Sequence, residues 1–289
     1  MIYGMKVVLK YLLGLDQAGR NFAVFPDDTF IVSYPRSGNT WTRFLIANLL
    51  HPDTTVTFAN IEGLIPDTSS VSSRALKRMP RPRLIKSHQY FDPRYKRLIY
   101  IVRDPRDVVL SEYHFHRKSK TIDDDFPIER YVDDFVNGRL VSSADFGTWG
   151  ENVASWTGAR GRSENFLLLH FEDLLKDTHR ELRRVAHFLG RDGTAELLER
   201  AVTCSSAERM RLLEKQHQDR WVVTRKHRKD IPFVRSAQAG DWETKLPPGS
   251  VRQIENAWGE LMSSLGYSLA ADRVSTDRAR STTDSPVSY

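Results

Sequence analysis

Three short clusters hold residues whose types and spacing could do chemistry. The first is the run Tyr34-Pro35-Arg36-Ser37-Gly38-Asn39-Thr40-Trp41. A glycine-containing turn from a strand into a helix aims free backbone N–H groups and the positive helix end at one point, which makes an anion site. Gly38 would let the backbone approach a phosphate closely. Ser37, Asn39 and Thr40 add side-chain donors, and Arg36 adds fixed charge with several N–H groups. A nucleotide kinase is the enzymatic rival, but its loop needs G-x-x-x-x-G-K-[ST]. Here Asn39 occupies the lysine position and the loop's first glycine is missing. The cation stands earlier, at Arg36, which argues against a magnesium–triphosphate site. An ordinary polar strand-to-helix turn is the plain alternative.

The second cluster is Lys86-Ser87-His88, at the end of an apolar run. A histidine has the intrinsic pKa to take a proton from a hydroxyl near neutral pH, and a lysine there could stabilise charge on a leaving phosphate oxygen. The third is Arg103-Asp104-Pro105-Arg106-Asp107, with Ser111 two helical turns further on. Arg103 and Ser111 could reach one phosphate. Alternatively, Arg103, Asp104, Arg106 and Asp107 simply pair with one another.

The elements that must position these clusters are legible around them. Thr29–Tyr34, Arg83–Lys86, Arg97–Val102 and Asn165–His170 are compact apolar runs that read as buried strands. Thr40–Leu50 and Arg106–Arg117 have helical periodicity, the second with Pro105 in its first turn, and Asp177–Leu189 is a helix stopped by Gly190. Strands alternating with helices predict an α/β fold, a single P-loop-like domain with a central parallel sheet flanked by helices. Pro52–Pro82, Lys118–Asp145 and Gln216–Gln238 lie outside this pattern and read as insertions or lids, where specificity resides.

The chain of 289 residues is 40% hydrophobic and 28% charged, which suits a globular protein with a substantial core. Its net charge of +6 suits an anionic ligand, but nucleic acid or an acidic surface equally. Cys204 is the only cysteine, so no intrachain disulfide forms and a reducing compartment is expected. Val7–Leu15 is apolar but interrupted by Lys10, too short to span a bilayer and a poor signal peptide; it reads as a short packed helix. A cytoplasmic location follows as the expectation. Residues 1–28 read as a lead-in, 29–267 as the domain, and 268–289, poor in apolar residues, as a disordered tail.

In combination, these clusters resemble the cytosolic-type sulfotransferases that use 3′-phosphoadenosine 5′-phosphosulfate (PAPS). The family's Y-P-K-S-G-T-T-W signature appears as YPRSGNTW at Tyr34–Trp41, and its strand-end K-T-H as Lys86-Ser87-His88. The second signature, an arginine before a D/N-x-x-D-V run with a later serine, appears at Arg103–Val108 and Ser111, continuing into Tyr113-His114-Phe115. A family-like strand and F-E-D segment lies at Leu167–Asp173, and the late R-K-G-x-x-G-D-W signature appears as RSAQAGDW, Arg235–Trp242. The likeness spans Thr29 to Tyr267.

By position, the resemblance makes Arg36, Ser37, Gly38, Asn39, Thr40 and Trp41 the grip on the donor's 5′-phosphosulfate, with Trp41 also near the adenine. Arg103 and Ser111 would hold the 3′-phosphate, with Arg235 closing over it. His88 would be the general base and Lys86 the stabiliser of the bridging oxygen. Arg36 replaces the commoner lysine, Ser236 and Ala237 replace the Lys and Gly of the late motif, Phe171 replaces a tyrosine, and Ala207 stands where an aromatic would stack on adenine.

The implied enzyme transfers a sulfuryl group in line to an acceptor hydroxyl, leaving adenosine 3′,5′-bisphosphate (PAP). It needs no metal, because a sulfuryl group carries less negative charge than a phosphoryl group. The expected acceptor is a small molecule or glycan, with no nucleic acid or membrane partner, and a homodimer is left open. A P-loop kinase remains the runner-up. A non-catalytic binder of glycans or nucleic acid is the third class, resting on the basic run Arg225-Lys226-His227-Arg228-Lys229. The sequence does not distinguish phenol, steroid, sugar or lipid as the acceptor.

Overall fold

A computed structural model describes residues 17–235 and 237–270. The expected Val7–Leu15 helix, the tail beyond Ala270 and Ser236 lie outside the described residues. Four strands, β1 (Thr29–Ser33), β2 (Leu84–Ser87), β3 (Arg97–Val102) and β4 (Phe166–His170), form one sheet in the order β2-β1-β3-β4. Every pairing is parallel, with Val32 opposite Ser87 and Tyr100, and Val102 opposite His170. The strands agree with the sequence reading to within a residue at each end.

The two faces of the sheet explain the apolar runs. Side chains alternate along a strand, so Phe30, Val32, Leu98, Tyr100 and Val102 enter one buried cluster while Ile31, Ile99, Ile101 and Leu169 enter another on the opposite face. Helix α1 (Asn39–Leu50) supplies Phe44, Leu45 and Ile46 to the second cluster. Helix α2 (Pro105–Ser119) supplies Val108 and Val109 to the first. Pro105 opens α2 as expected, and the Asp104 carboxylate caps it by accepting from the Arg106 N–H at 2.9 Å.

All four strands end on the same edge, so the segments that follow them converge. They are the Tyr34–Trp41 turn, His88, Arg103 and Phe171. Open parallel sheets bind ligands at that edge, where the chain order reverses, here around β1.

Two further helices hold this edge. Helix α3 (Val141–Phe146) closes the second predicted insertion and helix α4 (Trp149–Arg160) follows it, beginning with a reciprocal capping box between Thr148 and Glu151. Three buried side chains of α4 fix the backbone of the edge. Asn152 donates to the carbonyls of His88 (3.0 Å) and Phe146 (2.8 Å) while accepting from the Tyr100 hydroxyl (2.8 Å). The Trp156 indole donates to the Gln89 carbonyl at 2.9 Å, and the Trp149 indole to the Arg103 carbonyl at 3.2 Å. Replacing Asn152 by Leu keeps the volume but leaves three buried polar groups without their partner. The expected loss is at least about 1–3 kcal/mol, the cost of one such group, read as a lower urea midpoint. An unchanged midpoint would remove Asn152 from this role.

Candidate functional site

The turn after β1 is shaped by two residues with positive φ. Gly38 sits at φ 90°, and a Cβ there would lie 2.3 Å from the Phe171 ring, so only glycine fits without rearrangement. Arg36 adopts φ 65°, uncommon outside glycine. Asn39 turns inward. Its amide donates to the Ser33 hydroxyl (3.1 Å) and the Ile31 carbonyl (3.4 Å), tying the first turn of α1 to β1. This amide therefore fixes the turn, where the sequence suggested a donor to the anion. Ser37 is 1% exposed and its hydroxyl has no partner among the described residues.

The Arg36 guanidinium sits in the corner made by the rings of Phe115 (4.8 Å) and Phe233 (4.6 Å), which meet edge to face, and donates to the Ser111 hydroxyl at 3.2 Å. Burial, with Arg103 close by, lowers its pKa to about 10, which leaves it charged at neutral pH.

Lys86 and His88 stand at the end of β2. The Lys86 ammonium contacts the Asp67 carboxylate at 2.7 Å, both buried. Asp67 reaches this place because its neighbours pair with the strand: the Lys86 N–H donates to the Pro66 carbonyl and the Thr68 N–H to the Lys86 carbonyl. Burial would raise the Asp67 pKa, but Lys86 and Arg43 hold it at about 2. Burial lowers Lys86, with Asp67 opposing.

The His88 Nδ1 lies 2.7 Å from the Ser33 carbonyl oxygen. A carbonyl only accepts, so Nδ1 carries the proton and Nε2 keeps its lone pair. Burial and then the Lys86 charge push the His88 pKa down to about 3, so the ring is neutral at pH 7. The ring meets that of Phe146 edge to face, with centroids 5.6 Å apart.

The third cluster divides. Arg106 pairs with Asp104 and with Glu255, each at 2.6 Å, and is structural. Arg103 faces the cavity: it donates to the Gln238 carbonyl (3.0 Å), stacks on Phe171 (4.3 Å), and has Asp107 behind it at 3.7 Å. Asp107 also accepts from the N–H groups of Gly240 (2.7 Å) and Trp242 (3.0 Å), pinning the late loop that carries Arg235. Arg235 lies 3.5 Å from Asp241, and burial lowers its pKa. Trp41 donates its indole N–H to the Ser205 carbonyl at 2.9 Å and meets Phe171 edge to face.

These residues share one cavity of about 710 Å³. Its wall includes Arg36, Gly38, Asn39, Thr40, Trp41, Lys86, His88, Arg103, Ser111 and Arg235, so the sequence-predicted residues meet there, with Ser37 buried in the turn beneath. Each predicted insertion contributes: Asp67, Ser69 and Ser70 from the first, Ser142 from the second, and Trp221, Val222, Val223 and Phe233 from the third. Phe171, Leu175, Val202 and Met210 give an apolar end beside Trp41. In the basic run, Arg228 pairs with Asp124 and Asp230, and Lys229 with Asp219, which neutralises part of it.

Sequence reasoning missed Asp67, Glu112 and Phe233. Asp67 lies in a stretch rich in Pro, Ser and Thr, and its lysine is 19 residues away. Glu112 offered a signal: an acid directly after Ser111, on the helix face next to a residue already claimed by the site.

The sulfotransferase domain model matches residues 26–266. Among curated proteins, Sulfotransferase 1C2 of Homo sapiens is 28% identical over 262 residues, 84% of this chain and 86% of the relative. Sulfotransferase 1A1 of Mus musculus is 25% identical over 276 residues, 90% of this chain and 93% of the relative. Among solved structures, mouse sulfotransferase SULT7A1 complexed with PAP superposes with a TM-score of 0.71 at 24% identity, covering 93% of this chain and 94% of that one. A retinol dehydratase complexed with retinol and PAP gives 0.69 at 21% identity, covering 87% and 85%. These structures agree with the parallel-sheet fold.

Replacing Gly38 by Ala forces a strained φ and a clash with Phe171. PAP affinity measured by calorimetry is expected to fall by about 1–3 kcal/mol, the scale of a strained backbone residue. Unchanged affinity would show that the shape of this turn does not govern binding.

Proposed function

The chain belongs to the sulfotransferase family and is a PAPS-dependent sulfotransferase, and on that premise we propose that it transfers the sulfuryl group in line to an acceptor hydroxyl with His88 as general base. The observation that carries this reading is the hydrogen bond from His88 Nδ1 to the Ser33 carbonyl. It leaves Nε2 as an acceptor inside the cavity that also holds the strand-to-helix turn. As the bond from sulfur to the acceptor oxygen forms, the bond from sulfur to the 5′-phosphate oxygen breaks. The acceptor proton passes to His88 Nε2, and PAP departs with the bridging oxygen's charge.

The remaining roles follow from position. The N–H groups at the start of α1 face the 5′-phosphosulfate, and Lys86 offsets charge on the bridging oxygen. Asp67 keeps Lys86 charged and aimed, since a buried ammonium without a partner tends to lose its proton. Arg103, Ser111, Arg36 and Arg235 form one basic end that suits the 3′-phosphate. Arg36 binds Ser111 there, so its charge serves this end of the cavity as much as the sulfuryl end. Trp41 and Phe171, with Val202 and Met210, provide an apolar slot for adenine. The acceptor would be a small hydroxyl compound entering on the His88 and Phe146 side.

Two substitutions test the assignment. His88→Ala is expected to abolish turnover while PAP affinity is kept; activity near the wild-type level would sink the base assignment. Arg103→Ala should weaken PAP binding by about 1.5–3 kcal/mol, the value of a hydrogen bond to a charged group. Unchanged PAP affinity would rule Arg103 out as a phosphate ligand.

A further inference from the structure

One corner of the cavity is polar and has no part in the transfer described above. Glu112 lines it, is 1% exposed, and its Oε2 has no hydrogen-bond partner among the described residues. The hydroxyls of Tyr34, Ser142 and Ser143 are buried and equally unpartnered. They come from the end of β1, from α2 and from α3, yet they converge: Ser142 and Ser143 approach the Tyr34 hydroxyl, and Ser142 also approaches Glu112. Arg36 does not satisfy Glu112. Its guanidinium is held in the corner of two rings and by Ser111, and it forms no ion pair among the described residues. Burial raises the Glu112 pKa to about 7, with Ser142 and Arg36 opposing. Of these groups, Glu112 and Ser142 line the cavity, with the buried hydroxyls of Tyr34 and Ser143 behind them. Buried polar groups are almost always paired, so a carboxylate oxygen and a hydroxyl without close partners at a cavity wall call for a bound partner.

The corner adjoins the acceptor side. Ser142 lies one helical turn from Phe146 on α3, and the Phe146 ring packs on His88. A molecule offering a hydroxyl to His88 therefore has its remaining atoms near Ser142 and Glu112. A carboxylate accepts hydrogen bonds, while hydroxyls both donate and accept. The matching group is a donor, either a hydroxyl or an amine. Arg36, Lys86 and Arg103 line the same cavity and oppose a further positive charge, which disfavours an ammonium.

We propose that Glu112, with Ser142, forms a subsite for a second hydroxyl, so that the preferred acceptor is a neutral compound with two hydroxyls, one presented to His88 and the other held by Glu112. This rests on the placement of the acceptor beside His88. The test is calorimetric binding of phenol, catechol, resorcinol, hydroquinone and tyramine to the PAP-saturated enzyme, which needs no turnover. At least one of the three diols is expected to bind about tenfold more tightly than phenol. Glu112→Leu should erase that difference, Ser142→Ala should reduce it, and Glu112→Gln, which keeps a carbonyl acceptor, should retain part of it. His88→Ala should keep the diol preference in binding while losing turnover, so failure of the base assignment shows separately as surviving activity. Equal affinity for phenol and all diols, no binding of any diol, a preference that survives Glu112→Leu, or tighter binding of tyramine than of every diol would each overturn the subsite.

Discussion

Every part of this cavity answers to one electrostatic constraint: several cations must be kept charged in a poorly solvated place. Burying an unpaired charge costs several kcal/mol, and the group tends to neutralise instead. The structure meets this with a carboxylate behind each of three cations: Asp67 behind Lys86, Asp107 behind Arg103, and Asp241 behind Arg235. Arg36 is handled differently, in the corner of two perpendicular aromatic rings and against the Ser111 hydroxyl. A guanidinium suits that setting better than an ammonium, because it is planar and more weakly hydrated. The replacement of the usual lysine by arginine at this position is thus accompanied by the rings of Phe115 and Phe233 against it.

The same constraint explains why His88 is neutral. It stands beside Lys86 in a buried site, and both influences disfavour its protonated form. A base must be unprotonated before it can accept, so the field that holds an anionic donor also prepares the histidine. The backbone that carries these groups is fixed from behind by α4, through Asn152, Trp156 and Trp149. Those contacts place the carbonyls of His88, Gln89 and Arg103. The chemistry at the sheet edge depends on a helix that contributes no side chain to the cavity wall.

How much of this was legible in the sequence depended on the range of the contacts involved. The four strands and the turn between β1 and α1 are local patterns: apolar runs of strand length, a glycine at the turn, a helix after it. Their shared edge follows from parallel topology, so the meeting of Tyr34–Trp41, His88 and Arg103 could be anticipated. Arg103 was singled out for the phosphate, but the mutual pairing of Arg103, Asp104, Arg106 and Asp107 stayed open. Asp104 and Glu255, the latter 149 residues from Arg106, show that Arg106 is the structural member. Asp67 and Asn152 were illegible for the same reason. Each acts on a partner brought near by folding, and neither belongs to a local pattern. Asn39 was misread in part, because a polar residue in an anion loop also serves to tie the loop to its strand.

The central claim is that His88 is a neutral base with its proton on Nδ1. Nitrogen-15 NMR of labelled histidine, assigned through His88→Gln and followed from pH 8 to pH 4, tests it most directly. The account predicts an Nδ1–H tautomer, Nε2 unprotonated across that range, and no titration near the ordinary histidine value of about 6.5. An Nε2–H tautomer, or a His88 signal that titrates near 6.5, would contradict it.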